Sequence, residues 1–98
     1  MIHRHKELGV GAKIYKAATG GQDANLLTGS SEISILLYLK NEFDPVACHM
    51  PSIDSTMLVS IPFYPDSSMV AQLAFVLEQN TLLMRNGNIY GWSSWTLV

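Results

Sequence analysis

The stretch N-T-L-L-M-R-N-G-N-I-Y-G-W-S-S-W-T-L-V, residues 80–98, decides how the chain reads. Two β-prone runs, 81–85 and 89–98, flank Asn86 and Gly87. That pair tolerates the positive φ of a tight type I′ turn, so the expectation is a C-terminal hairpin turning there. Strict alternation along the second run puts Tyr90, Trp92, Ser94 and Thr96 on one face and Gly91, Ser93, Trp95 and Leu97 on the other. Trp92 and Trp95 then share a strand and point to opposite faces. One anchors a core, and the other meets solvent, a partner chain or a ligand.

Moving back from the hairpin, residues 69–79 fit two patterns. A helix capped by Asp66 or Ser67 would bury Met69, Leu73, Val76 and Leu77, whereas a strand alternates Val70, Gln72, Ala74 and Val76 against Ala71, Leu73, Phe75 and Leu77. Residues 64–68 read as a turn with Pro65 in its favoured place, and 56–63 as a strand whose end Pro62 pushes to an edge or bulge. Residues 41–55 hold Pro45, Pro51, Asp44 and Asp54 and read as a long connection. Residues 30–43 are again open: a helix capped by Ser30 or Ser31, or a strand with Ile33, Ile35, Leu37 and Leu39 on one face. The β-branched content and the Ser-Ile alternation favour the strand. Upstream, 12–17 is a short strand-like run, residues 19–23 a loop, and Asp23 to Asn25 an entry to Leu26 and Leu27 with Thr28 and Gly29 closing a turn.

Composition bounds the function. Ninety-eight residues make one small domain. The chain is 48% hydrophobic and only 14% charged, against about 25% charged in an average soluble domain. So little charge on so small a body points to a surface partly covered by other copies, hence a homo-oligomer. With net charge −2 and six dispersed Lys and Arg residues, the chain lacks the basic footprint that nucleic acid requires. No apolar run reaches the roughly 20 residues of a membrane span, and membrane insertion is not expected. Residues 1–7 are polar, form a flexible tail ahead of a domain at 8–98, and lack the apolar segment of a secretory signal.

No catalytic constellation emerges, and no enzyme, metal or cofactor is expected. The carboxylates of Glu7, Asp23, Glu32, Glu42, Asp44, Asp54, Asp66 and Glu78 form no pair at a spacing that suggests a glycosidase dyad. There is no Gly-x-Ser-x-Gly elbow and no phosphate loop. Cys48, the only cysteine, reads as a small buried hydrophobe beside His49, and a triad on His49 would need a base and an orienter that the sequence does not pick out. His3 and His5 alone make a weak metal site. Binding has more to stand on. Tyr90, Trp92 and Trp95, with Arg85 and Asn86 at the turn, are the residue types that hold the apolar face of a sugar while bonding its hydroxyls. The competing role is structural: both tryptophans as core or interface anchors, Arg85 stacked on one of them or paired with a carboxylate, and Gln72 satisfying backbone or cross-strand groups.

Taken together, these residues resemble the knob-type repeats of phage tail fibres, with the R-type pyocin fibre knob as prototype. The resemblance runs through Gly9-Val10-Gly11, the stretch D-A-N-L-L-T-G at 23–29, the strand M-L-V-S-I at 57–61, and A-Q-L-A at 71–74. It closes on Arg85-Asn86-Gly87 and W-S-S-W at 92–95. It covers almost all of 8–98, and departs from the pattern at S-S-E-I, 30–33, where the repeats carry a glycine entering a strand. The resemblance implies a mainly β fold, a small antiparallel sheet domain with a C-terminal hairpin and room for one short helix. It resolves both open segments to strand. It further implies a non-enzymatic structural or receptor-binding domain of a tail fibre, trimeric, contributing to attachment to a bacterial surface glycan. The protein would belong to a virion or phage-like tail particle, the chain being a fragment, an excised domain or a short relative. The alternatives are a small α+β enzyme or regulatory protein, with 30–43 and 69–79 helical, or a non-catalytic appendage of a polysaccharide-degrading tailspike.

Overall fold

In a computed structural model, residues 12–16, 21–27, 32–62, 69–88 and 90–98 are described, the first of these segments as backbone only. Both open segments are strands. Strand β1 spans Ala12–Lys16, β2 Ile33–Tyr38, β3 Thr56–Pro62, β4 Val70–Val76, β5 Thr81–Asn88, β6 Gly91–Trp92 and β7 Thr96–Leu97. Helical backbone among the described residues is limited to two 3-10 turns, Ala24–Leu26 and Leu77–Gln79. A mainly β domain is therefore the fold, and the helical alternatives for 30–43 and 69–79 are excluded.

One sheet runs in the order β1-β2-β3-β4-β5-β6, with β7 also pairing β5. Every pairing is antiparallel except that of β1 with β2, which is parallel. The consecutive hairpins of β2 to β5 account for the regular ladder. Ser34, Ser60, Gln72 and Arg85 stand in line across four strands, each the register partner of the next. The β4–β5 turn closes with Asn80 at φ 50°, a left-handed conformation that asparagine tolerates better than most residues.

Alternation of side chains gives the sheet two unlike faces. The first carries Leu36 and Tyr38, Thr56 and Leu58, and Val70, Ala74 and Val76, all buried, together with the polar row just named. Its cover is made of loops. Ala24, Cys48 and Met50 pack onto Leu36, Tyr38, Leu58 and Ala74, with Leu27, Phe43 and Trp95 around them. The connection 41–55, expected as a long loop, is tied down locally. Asp44 Oδ1 accepts from the Val46 and Ala47 amides, and Cys48 N donates to Asp44 O. Gly21 lies at φ 86° with Cys48 Sγ and Phe43 Cβ against it, where any Cβ would collide. Tyr38 donates its hydroxyl to Gln22 O and meets the Phe43 ring edge-on at 5.2 Å.

The second face holds Ile33, Ile35 and Leu37 from β2 and Met57, Val59 and Ile61 from β3. Ala71, Leu73 and Phe75 from β4 continue it, with Leu82 and Met84 from β5. None of these is fully buried.

The terminal hairpin exists, but its turn is not at Asn86 and Gly87. Both lie inside β5, where Asn86 pairs with Ala71 and Gly87 with Val70. The chain reverses two residues later, where Asn88 pairs with Gly91 and Asn88 Oδ1 accepts from the Tyr90 and Gly91 amides. An asparagine side chain that mimics a backbone turn thus does the work assigned to the Asn-Gly pair. The tail at 1–7, the glycines at 9 and 11, Thr28, Gly29 and the turn at 64–68 lie outside the described residues.

Leu58, fully buried, sits in the cluster beneath the loops. Leu58→Ala should lower unfolding free energy by about 2–5 kcal/mol, as cavity-forming core substitutions do. Urea titration followed by far-UV circular dichroism checks this, and the native spectrum should be that of a sheet.

Candidate functional site

Trp92 and Trp95 would point to opposite faces of a regular strand, yet they do not. Between β6 and β7 the register against β5 slips by one residue: Gly87 faces Trp92, but Met84 faces Thr96. Ser94 and Trp95 together therefore oppose the single residue Arg85, which is a β-bulge. Ser93 makes the slip tolerable. Its amide donates to Asn86 O at 2.8 Å, while its hydroxyl takes the place of a ladder carbonyl and accepts from Asn86 N at 3.0 Å. The bulge rotates Trp95 onto the face that Trp92 already occupies. Both rings then lie on one guanidinium, with Arg85 Cζ 4.2 Å from the Trp92 ring centroid and 4.6 Å from that of Trp95.

Gly87 is required here for space, not for a positive φ. A Cβ at this position would lie 2.5–2.6 Å from the Trp92 ring, far inside van der Waals contact, so the bare strand is what lets the indole lie flat across it.

Beneath the rings Arg85 is 5% exposed. Its Nε donates to Gln72 Oε1 at 2.8 Å. Gln72, itself fully buried, donates from Nε2 to Ala24 O at 2.9 Å and to Ser60 Oγ at 3.2 Å. Ala24 opens the 3-10 turn that Asp23 caps, Asp23 Oδ1 accepting from Asn25 N at 2.9 Å. Arg85 Nη2 and Asn25 Oδ1 are buried without a hydrogen-bond partner. Burial pulls the Arg85 pKa down to about 10, and the Asp23 carboxylate acts against that shift. The unfolded chain then holds this proton more tightly than the folded one. Between about pH 10 and the ordinary arginine range, this group makes stability rise with pH.

A second polar pair borders the cluster. His49, at φ 57°, places Nδ1 2.8 Å from Asp23 Oδ1, so the orienting carboxylate that the sequence left unidentified is Asp23, 26 residues upstream. Trp95 Nε1 donates to His49 O at 3.0 Å, which fixes the tryptophan to the 44–50 loop. Asp23 and His49 form an imidazole–carboxylate pair. Cys48 turns inward, and burial pushes its thiol pKa up; a thiol shifted this way is a poor nucleophile. Among the described residues no three His, Cys, Asp or Glu side chains converge on a point that could hold a metal ion; His3 and His5 lie outside them. No helix among those residues is long and apolar enough to cross a membrane.

Of the five residues proposed to touch a glycan, the structure brings Arg85, Trp92 and Trp95 together and leaves Asn86 and Tyr90 apart. Arg85 lies under the rings and not at the surface, and Trp95 packs against the core. Asn86 is exposed on the sheet's other face, and Tyr90, 91% exposed, projects from the turn. Gln72, read from the sequence as satisfying backbone and cross-strand groups, does both. Comparison of the chain with protein-family models, curated proteins and solved structures returns no match.

Two substitutions probe the cluster. Gly87→Ala should lift Trp92 off Arg85 and destabilise by about 1–3 kcal/mol, the usual cost of forcing an extra methyl into a packed contact. Equilibrium unfolding and the near-UV dichroism of the two indoles read this out. Gln72→Leu, which takes the side-chain donor from the Ala24 carbonyl and the hydrogen-bond acceptor from the buried Arg85 Nε, should cost roughly 3 kcal/mol. The double variant Gln72→Leu/Arg85→Met should be more stable than Gln72→Leu alone, since it removes the stranded charge as well as its partner.

Proposed function

We propose that this chain is a non-enzymatic structural and receptor-binding domain of a phage or phage-like tail fibre, assembling as a trimer and contributing to attachment to a bacterial surface glycan. The observation that supports it is the connection between the residues behind the resemblance. Asp23 and Asn25, Gln72, Arg85, Gly87, Trp92 and Trp95 come from four separate stretches of the chain, yet they meet in one linked cluster. Residues that join up in this way hold the loops and the hairpin to the sheet. The spacing Arg-x-Gly followed by Trp-x-x-Trp is what a bulged hairpin needs to stack two rings on one cation.

This reading shifts the receptor contact outward from the stacked rings. Arg85 and Trp95 hold the hairpin, and Tyr90 presents an open aromatic face two residues from the partly buried Trp92. Aromatic faces edged by amides and hydroxyls are suited to sugar rings. The fibre would carry the domain on a virion or tail particle.

The test is retention of purified bacterial surface polysaccharides by the immobilised domain, with polymer length followed over time. Retention without shortening is expected, and Tyr90→Ala should weaken it about tenfold, the order of one aromatic contact, with mass and unfolding midpoint unchanged. Progressive shortening of a polymer would overturn the non-enzymatic reading. A single-chain mass at every concentration together with no retention would overturn the fibre reading.

A further inference from the structure

We infer that the open apolar face of the sheet, centred on Ile35, Val59, Leu73 and Phe75, is the surface through which copies of this chain pack on one another, sheet against sheet. This deepens the proposed function and rests on its premise that the chain self-associates.

The first argument is the distribution of polarity. In an antiparallel sheet with one solvated face, polar residues alternate outward and apolar ones inward. Here that rule fails on both faces: the covered one mixes core hydrocarbon with a polar row, and the other is apolar. Ser34, Thr56, Ser60, Gln72 and Arg85 lie on the face covered by the loops. On the opposite face the described residues of β2 to β5 are apolar except Asn86 and Asn88 at its margin, and none is charged. Strands apolar on both sides belong to sheets covered on both sides. The described loops that pack on the sheet join the cluster of Leu36, Tyr38, Leu58 and Ala74, on the first face.

The second argument concerns the occupant. A charge-free face has nothing to direct a partner of opposite sign, and its best complement is another surface equally flat and equally free of charge. Every copy of the chain carries one. Four strands at the usual spacing and six residues along each give a footprint of roughly 20 by 20 Å. That is about half of the ~800 Å² per partner that standard interfaces bury, the size of a weaker, concentration-dependent contact. The face also has relief to lock into. At its β4–β5 end an open, mostly apolar hollow of about 280 Å³ is lined by Phe75, Leu77, Asn80 and Leu82. Leu77 and Met84, 47% and 39% exposed, extend the apolar surface beside it. Growth through the other sheet edge is blocked in part, because the bulge between β6 and β7 breaks the ladder that an added strand would need.

The experiment is light scattering behind a sizing column on the full chain, over a thousandfold range of concentration, for the wild type and for Leu73→Glu, Leu73→Lys and Met84→Lys. The wild type should associate. Each Leu73 variant should run as a monomer with the sheet spectrum retained, and an equimolar mixture of the two should reassociate. Met84→Lys, at a half-exposed position where folding is not at risk, should raise the concentration of half-association at least tenfold and serves as the readout if a Leu73 variant fails to fold. An associated wild type whose mass survives all these changes would overturn the inference and leave the fibre reading standing. A two-chain mass abolished by the variants would support the face and overturn the trimeric reading. A wild type monomeric at the highest concentration would overturn the inference, the face then being covered from within the chain or by another protein.

Discussion

The arrangement depends on one buried cation. Arg85 has no room to leave the sheet: two indoles cover it, Gln72 holds its Nε, and the strand fixes its Cα opposite Gln72. Removing a guanidinium from water is expensive, and here the cost is offset by several partial interactions. The faces of two rings supply negative quadrupole potential, a glutamine oxygen accepts one hydrogen bond, and Asp23 contributes at longer range. Each partner is positioned by a different element. The loop 44–50 holds Trp95 through His49 O, the bare Gly87 admits Trp92, and the 3-10 turn at Ala24 orients Gln72. Stabilising the charge and docking the loops on the sheet are therefore the same event.

That coupling explains why the hairpin is bulged. A regular strand would have sent Trp95 to the opposite face, leaving the cation stacked on one ring and the His49 carbonyl without its indole donor. One inserted residue corrects the phase. Ser93 makes the insertion affordable in hydrogen bonds, because its hydroxyl accepts where the displaced carbonyl no longer can.

The strands were legible because period-two alternation survives wherever the ladder is regular. Ile33 to Leu37 and Val70 to Val76 follow it residue by residue, and so did the placement of Gln72 among cross-strand groups. The hairpin was legible as an object and misplaced as a geometry. Asn-Gly signals positive φ, but glycine also serves where a neighbour comes too close for a Cβ, and the local sequence of Gly87 does not distinguish the two uses. The bulge was hidden for a related reason: alternation arguments presuppose an unbroken strand, and the sign of a break was a serine whose side chain replaces a main-chain acceptor. The Asp23–His49 pair was out of reach, since it is created by the docking of two loops 26 residues apart.

The polar row on the first face follows from what covers it. A cover made of loops brings backbone groups with spare hydrogen-bonding capacity, such as the Ala24 carbonyl, which takes a donor from the sheet beside the one from its own 3-10 turn. Gln72 and Arg85 supply or relay such bonds, and Ser60 and Thr56 join neighbouring ones. Polar residues therefore accumulate under the loops, on the side where a simple inside–outside rule would place only hydrocarbon. The other face meets no such demand, and its side chains are selected for contact alone. An apolar surface that needs no hydrogen bonds is best matched by regular structure whose own backbone is already paired, and a second sheet is that structure. The loops that make the domain fold and the face that would let it assemble thus divide the chemistry of one sheet between them: a core threaded with hydrogen bonds on one side, packing alone on the other.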